Sequence, residues 1–189
     1  MVSLQTRPRQ IMRVRCANVN IEFALGDISQ QPDMEAVVNA ANAWLLPGGG
    51  VAGAIHRGAG PSLIEECRPL APIRPGEAVI TSAGNLPNRW VIHCLGPVYG
   101  TDEPSDRLLA NCYINAIVLA ETRRISRIAF PAISTGAFGY PAFEAAQVTA
   151  QAVLSIVEDI QYLEVVRFVF IDSSMKAVFA QAFVDASAS

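Results

Sequence analysis

Short apolar, β-branched runs alternate with segments of helical period along the whole chain, and this alternation most narrows what the chain can fold into. Ala36 to Asn39 (AVVN), Trp90 to Leu95 (WVIHCL), Arg127 to Ile133 (RIAFPAI) and Val165 to Ile171 (VVRFVFI) have the near-continuous hydrophobicity of strands buried on both faces. Met12 to Cys16 and Asn20 to Ala24 read as strands around a polar turn, and Glu77 to Ser82 as another. Between these runs, Asp106 to Arg123 repeats apolar residues at helical spacing (Leu109, Cys112, Ala116, Leu119). Ala142 to Ile160 reads as a helix with Pro141 at or just before its first turn. Further helices are expected from Val51 through AGAIHRGAG and from Ser174 to Val184. Parallel neighbours need crossover connections, so the alternation predicts an α/β fold with a largely parallel sheet and helices on both faces. Such sheets take ligands at the carboxyl ends of their strands, so residues that carry chemistry should lie just after strands.

A chain of 189 residues suits one domain, read as 11–189 behind an N-terminal tail of residues 1–10. Hydrophobic residues make up 51%, enough for a sizeable core. The net charge of −3 argues against nucleic-acid binding through a basic face. Arg7, Arg9, Arg13 and Arg15 are read as a solvated tail leading into a strand. Cys16, Cys67, Cys94 and Cys112 show no C-x-x-C spacing, and the chain has 2 histidines, so neither a metal site nor a cofactor is expected. Reduced thiols in a cytoplasm account for the cysteines. No apolar stretch is long enough to span a membrane, and MVSLQTRPRQ lacks the apolar core of a signal peptide.

Three strand ends carry unusual loops: Gly26-Asp27-Ile28-Ser29, the run NAANAWLLPGGGVAG from Asn39 to Gly53, and Ser134-Thr135-Gly136-Ala137-Phe138-Gly139-Tyr140-Pro141. Gly48, Gly49 and Gly50 precede an expected helix start. There, close backbone approach combines with unpaired N–H groups and a partial positive charge to make an anion cradle, typically for phosphate. An acidic protein can hold an anion this way without many basic side chains. The third loop repeats the device before the Ala142 helix, so two glycine loops could clasp a diphosphate. Neither is a Walker loop. Gly48-x-Gly50-x-x-Gly53 formally matches a dinucleotide fingerprint, but its first glycine does not follow its strand directly and no acidic residue ends a second strand about 20 positions on.

Side chains in these loops carry two readings each. Asp27 could accept a hydrogen bond from an exocyclic amine such as adenine's, or simply hold a turn. Of Asn39 and Asn42, one can serve the loop backbone and the other reach a sugar hydroxyl, or both can be turn residues. His56 lies one helical turn from the cradle, where it could position a ligand or carry a proton, or else pack as a helix histidine. His93, inside an apolar strand, reads as structural. Phe138 and Tyr140 either stack on a ligand or pin their loop.

Five motifs in order, G-D-I-S at Gly26, V-V-N-A-A-N at Val37, G-G-G-V-A-G-A-I-H at Gly48, V-I-H-C-L-G-P at Val91 and I-S-T-G-A-F-G-Y-P at Ile133, resemble those of macrodomains, and the resemblance runs from Val14 to Phe183. It implies a three-layer α/β/α fold on a mixed, mostly parallel six-stranded sheet, binding ADP-ribose or an ADP-ribosylated protein. By the same resemblance Asp27 would bind the adenine amine, the Ile28 backbone would reach the ring, and Asn42 would hold the distal ribose. Gly48, Gly49, Gly50 and Val51, with Ser134, Thr135, Gly136, Ala137 and Phe138, would wrap the diphosphate. Phe138 would also pack against the distal ribose, and Ile171-Asp172-Ser173 would border the adenine. The chain departs from the family's hydrolase branch at Ala52, where that branch carries an aspartate. His56 is retained. The resemblance therefore implies either hydrolysis of an ADP-ribosyl ester by a phosphate-held water, with Asn42, His56 and Phe138 at the reacting end, or a reader module without chemistry. A nicotinamide-dependent oxidoreductase rests on the glycine fingerprint alone.

Overall fold

The computed structural model describes residues 11–188, so the expected tail at 1–10 falls outside the described residues. Strands β1 (Met12–Cys16), β2 (Val19–Leu25) and β3 (Ala36–Ala40) are followed by helices α1 (Gly50–Ala59) and α2 (Ser62–Cys67). Then come β4 (Ala78–Ser82), β5 (Trp90–Cys94), α3 (Ser105–Thr122), β6 (Arg127–Phe130), α4 (Ala142–Val157), β7 (Val165–Phe170) and α5 (Ser173–Ser187). They form one sheet in the order β1-β2-β7-β6-β3-β5-β4. The five inner strands run parallel, while β1 and β4 pair antiparallel at the two edges.

The sheet has 7 strands among the described residues, where the resemblance implied six. Both antiparallel edges belong to it: β1 keeps register with β2 along its whole length, and Arg13 Nε donates to Glu22 Oε1 across the pair at 2.9 Å. The helix α2 is an addition, too short for its period to show in the sequence. Strand β6 ends at Phe130 because Pro131 has no N–H to give the ladder.

Strand alternation sorts side chains into two cores. Phe23, Val38, Ile92, Phe130 and Phe168 face α3, α4 and α5, which bury Tyr113, Ile117, Val153, Phe179 and Phe183 against them. Val37, Val91, Val165 and Val169 face the thinner layer, with Ile55 and Ala59 of α1 and Leu63 of α2. The same face carries the buried polar strand residues. Glu22 stands opposite Arg167 and Asn39 opposite His93 in register. All five parallel strands point their carboxyl ends to one edge, and the three glycine-bearing or acidic loops gather there.

Candidate functional site

The first wall of the site is the β3–α1 loop. Ala41 N donates to Cys94 O (2.9 Å), which fixes where the loop leaves the sheet. Asn42 then closes the loop on itself: its Nδ2 donates to Leu46 O (2.7 Å) and its Oδ1 accepts from Leu46 N (3.1 Å). The chain climbs to Gly49, which caps α1 with extended backbone and no side-chain cap, and no acidic residue lies in the first turn. The orphan amides and the partial positive charge of that helix end are thus left for a ligand.

The second wall is the β6–α4 loop. Thr135 Oγ1 donates to Ala132 O (2.9 Å), Tyr140 N to Ser134 O (2.9 Å) and Gly139 N to Gly136 O (3.0 Å). Tyr99 N holds the same loop from outside through Phe138 O (2.9 Å). Ser134 sits at φ 66°, a left-handed conformation costly for a residue with a side chain and one that clusters at functional sites. Its Oγ is buried with no hydrogen-bond partner among the described residues. Gly96, after β5, makes room for it, since a Cβ there would lie 2.1 Å from that oxygen.

Between the walls lies a cavity of about 370 Å³. It is lined by Ala40 to Asn42, Gly48 to Ala52, Gly96, Ala132 to Ser134 and Gly136 to Phe138. None of these residues carries a charge, so an anionic ligand would meet backbone amides rather than lysine or arginine.

A family model described as Macro domain matches residues 38–149. The chain is 45% identical over 166 residues to the O-acetyl-ADP-ribose deacetylase of Klebsiella pneumoniae (strain 342), covering 85% of this chain and 94% of that protein. The Oceanobacillus iheyensis macrodomain with ADP superposes with a TM-score of 0.90 at 33% identity, covering 96% of this chain and 99% of the other. The Trypanosoma brucei macrodomain in complex with ADP-ribose gives 0.76 at 34% identity, covering 85% and 68%. The chain belongs to the macrodomain family.

Within this macrodomain, Asn42, Gly48, Gly49, Gly50, Val51, Ser134, Gly136, Ala137 and Phe138 line one cavity, as the sequence reading grouped them. Thr135 does not line it but ties its loop. Ser134 and Gly136 to Phe138 of the β6–α4 loop line the cavity, while Pro141 and Ala142 at the start of α4 do not. Asp27, Ile28, Ile171 and Asp172 lie outside the cavity on the same sheet edge, where Gly26 N donates to Phe170 O (2.9 Å) and brings the ends of β2 and β7 together. Asp27 is exposed, and its Oδ1 accepts from Ser29 N (2.8 Å) and Ser29 Oγ (2.7 Å). Ile28 is buried, while Ile171 is 96% exposed. Asp172 caps α5 through Ser174 N and Met175 N, and its bonds from Ser174 hold its carboxyl below the usual range.

His56 is buried and does not line the cavity. Neither ring nitrogen has a hydrogen-bond partner among the described residues, and burial lowers its pKa, so it is neutral at neutral pH. Asn39 and Asn42 divide, the first lying in β3 and the second in the loop after it. Asn39 points into the thinner core, where its Nδ2 donates to His93 Nδ1 (3.1 Å). Since the Thr81 hydroxyl donates to Ser82 O, it accepts from His93 Nε2–H (2.9 Å), which fixes the tautomer. Ala52 and Gly96 are lining residues beyond the sequence reading's set of site residues. Gly96 was detectable as a glycine just past the end of a parallel strand. Ala52 puts a methyl group in the wall, at the position where the resemblance implied a carboxylate for the hydrolase branch. Among the described residues no cluster of His, Cys, Asp and Glu could hold a metal, and no helix is long and apolar enough to cross a membrane.

Proposed function

We propose that this macrodomain binds ADP-ribose and hydrolyses an ADP-ribosyl ester, on a modified protein or on O-acetyl-ADP-ribose. One observation carries the reading: an uncharged cavity of about 370 Å³ walled by an uncapped helix start and a glycine loop, the chemistry that takes a diphosphate through amides. The diphosphate would lie between Gly48 to Val51 and Ser134 to Phe138. The adenine would sit at Asp27, Ile28, Ile171 and Asp172, and the distal ribose between Asn42 and Phe138. A water held by the ligand's phosphate attacks the ester, and its oxygen forms the new acid. The bond to the ribose oxygen breaks, and the water's proton ends on that oxygen. With no carboxylate in the wall, positioning supplies most of the rate. His56 does not line the cavity, so as the proton carrier of this reading it would act on the ester only through an intervening water.

The deciding experiment measures ADP-ribose release from a glutamate- or aspartate-modified protein and from O-acetyl-ADP-ribose, with calorimetry of ADP-ribose binding on the same sample. Asn42→Ala should lower turnover by roughly 100-fold or more while weakening binding by only about 10-fold. Full turnover in that variant removes Asn42 from the mechanism. A second reading, a reader of ADP-ribosylated proteins, is favoured by Ala52 in the cavity wall. ADP-ribose binding with no release from any ester selects it.

A further inference from the structure

Behind the turn that carries Asp27 lies a chain of buried polar groups that the ligand would not touch. Arg167 of β7 is 6% exposed and Gln31 is 2% exposed. Arg167 Nε donates to Glu22 Oε2 (2.8 Å), and its Nη1 and Nη2 donate to Asp33 Oδ1 and Oδ2 (2.8 Å each). Its Nη1 also donates to Gln31 Oε1 (3.1 Å). Gln31 Nε2 in turn donates to the main-chain oxygen of Asp27 (2.8 Å). A guanidinium has no acceptor, so it fixes which way the Gln31 amide faces: the oxygen must meet Arg167 and the NH2 must meet Asp27. The Asn88 Nδ2 pins the same loop from a third side, through Gln31 O and Met34 O (2.8 Å each).

This arrangement holds the Asp27 backbone from below while Ser29 holds Oδ1 from the side. Asp27 is exposed, and Oδ2 is left as a free acceptor, with no partner among the described residues. Packing alone does not require a buried arginine in the sheet, because apolar side chains of similar volume do at least as well. We propose that Gln31, oriented by Arg167, is a positioning residue that sets the base specificity of this site by fixing the Asp27 turn. The inference rests on the proposed placement of adenine at Asp27. An ionised carboxylate only accepts, so a fixed one favours a base with an exocyclic amine and disfavours one with an oxygen there. A carboxylate free to turn loses that preference.

The test uses the full chain and two ligands, ADP-ribose and its hypoxanthine counterpart, in which oxygen replaces the exocyclic amine. Calorimetry on the unaltered protein should favour ADP-ribose by about 100-fold. Gln31→Glu keeps an acceptor for Arg167 but replaces the donor to Asp27 with an acceptor. Gln31→Leu removes both ends of the link at similar volume. In either variant ADP-ribose should weaken by roughly 10-fold and the preference should fall toward parity. Equal weakening of both ligands, or an unchanged preference, overturns the inference while leaving the proposed function standing. If the unaltered protein binds no ADP-ribose, the reading of the site fails and this inference fails with it.

Discussion

His93 illustrates how a residue with catalytic chemistry becomes structural. It is fully buried between Asn39 and Thr81, with Cys67 Sγ at 3.7 Å, and burial, then the charge of nearby His56, pushes its pKa down to about 3. In the unfolded chain the ordinary value is 6.5. Below that value the unfolded state takes up a proton that the folded state refuses until about pH 3, so stability falls as pH drops through this window and is fully present above it. Denaturant titrations at about pH 7 and about pH 5 should differ by roughly 2 kcal/mol, with a smaller difference in His93→Gln. Equal stability at the two pH values would mean that His93 is not held neutral. Its role was legible in advance, since a histidine inside WVIHCL has no solvent-facing neighbour in sequence. His56 was not: helical spacing places it one turn from the cradle, but only the packing of α1 against the sheet shows which way its ring faces.

At the level of elements, the join between the glycine loop and α1 leaves no room for a side chain on Gly53. A Cβ on Gly53 would lie 2.4 Å from the carbonyl oxygen of Gly48 and 3.0 Å from Arg57 Nη1. Alanine in a helix interior normally gains up to about 1 kcal/mol over glycine. Overpacking against backbone costs about 1–3 kcal/mol, so the clash should win or cancel the gain. Gly53→Ala should therefore leave stability unchanged or lower it, and weaken ADP-ribose by roughly 10-fold or more by displacing the Gly48 end of the cradle. A more stable variant with unaltered affinity would show that the loop yields freely. The sequence signalled this cradle through GGG before a helix, whereas the second wall was only half legible. Its glycines announced a loop, but only the structure shows that Ser134 and Gly136 to Phe138 line the cavity while Pro141 and Ala142, at the cap and start of α4, do not.

For the whole molecule, the test of the site is linkage between ligand and fold. A ligand present at about 100 times its Kd stabilises the native state by about 2.7 kcal/mol. For a domain of this size that amounts to about 5–10 °C in Tm. ADP-ribose should produce such a shift. NADH should not, and a shift from NADH alone would revive the oxidoreductase reading. Period and composition determined the fold class and the two-faced core, because strands buried on both sides are written mostly in apolar residues. Local glycine and asparagine chemistry determined where loops would approach a ligand, because these residues act within a few positions of themselves. What tertiary structure alone decided was pairing across the chain. It made Asn39 a partner of His93 rather than of a sugar and set Gly96 against Ser134. It also joined Arg167, near the end of the chain, to the Asp27 turn near its start through Gln31. A sheet order of β1-β2-β7-β6-β3-β5-β4 brings residues far apart in sequence side by side, and no local pattern records which ones meet.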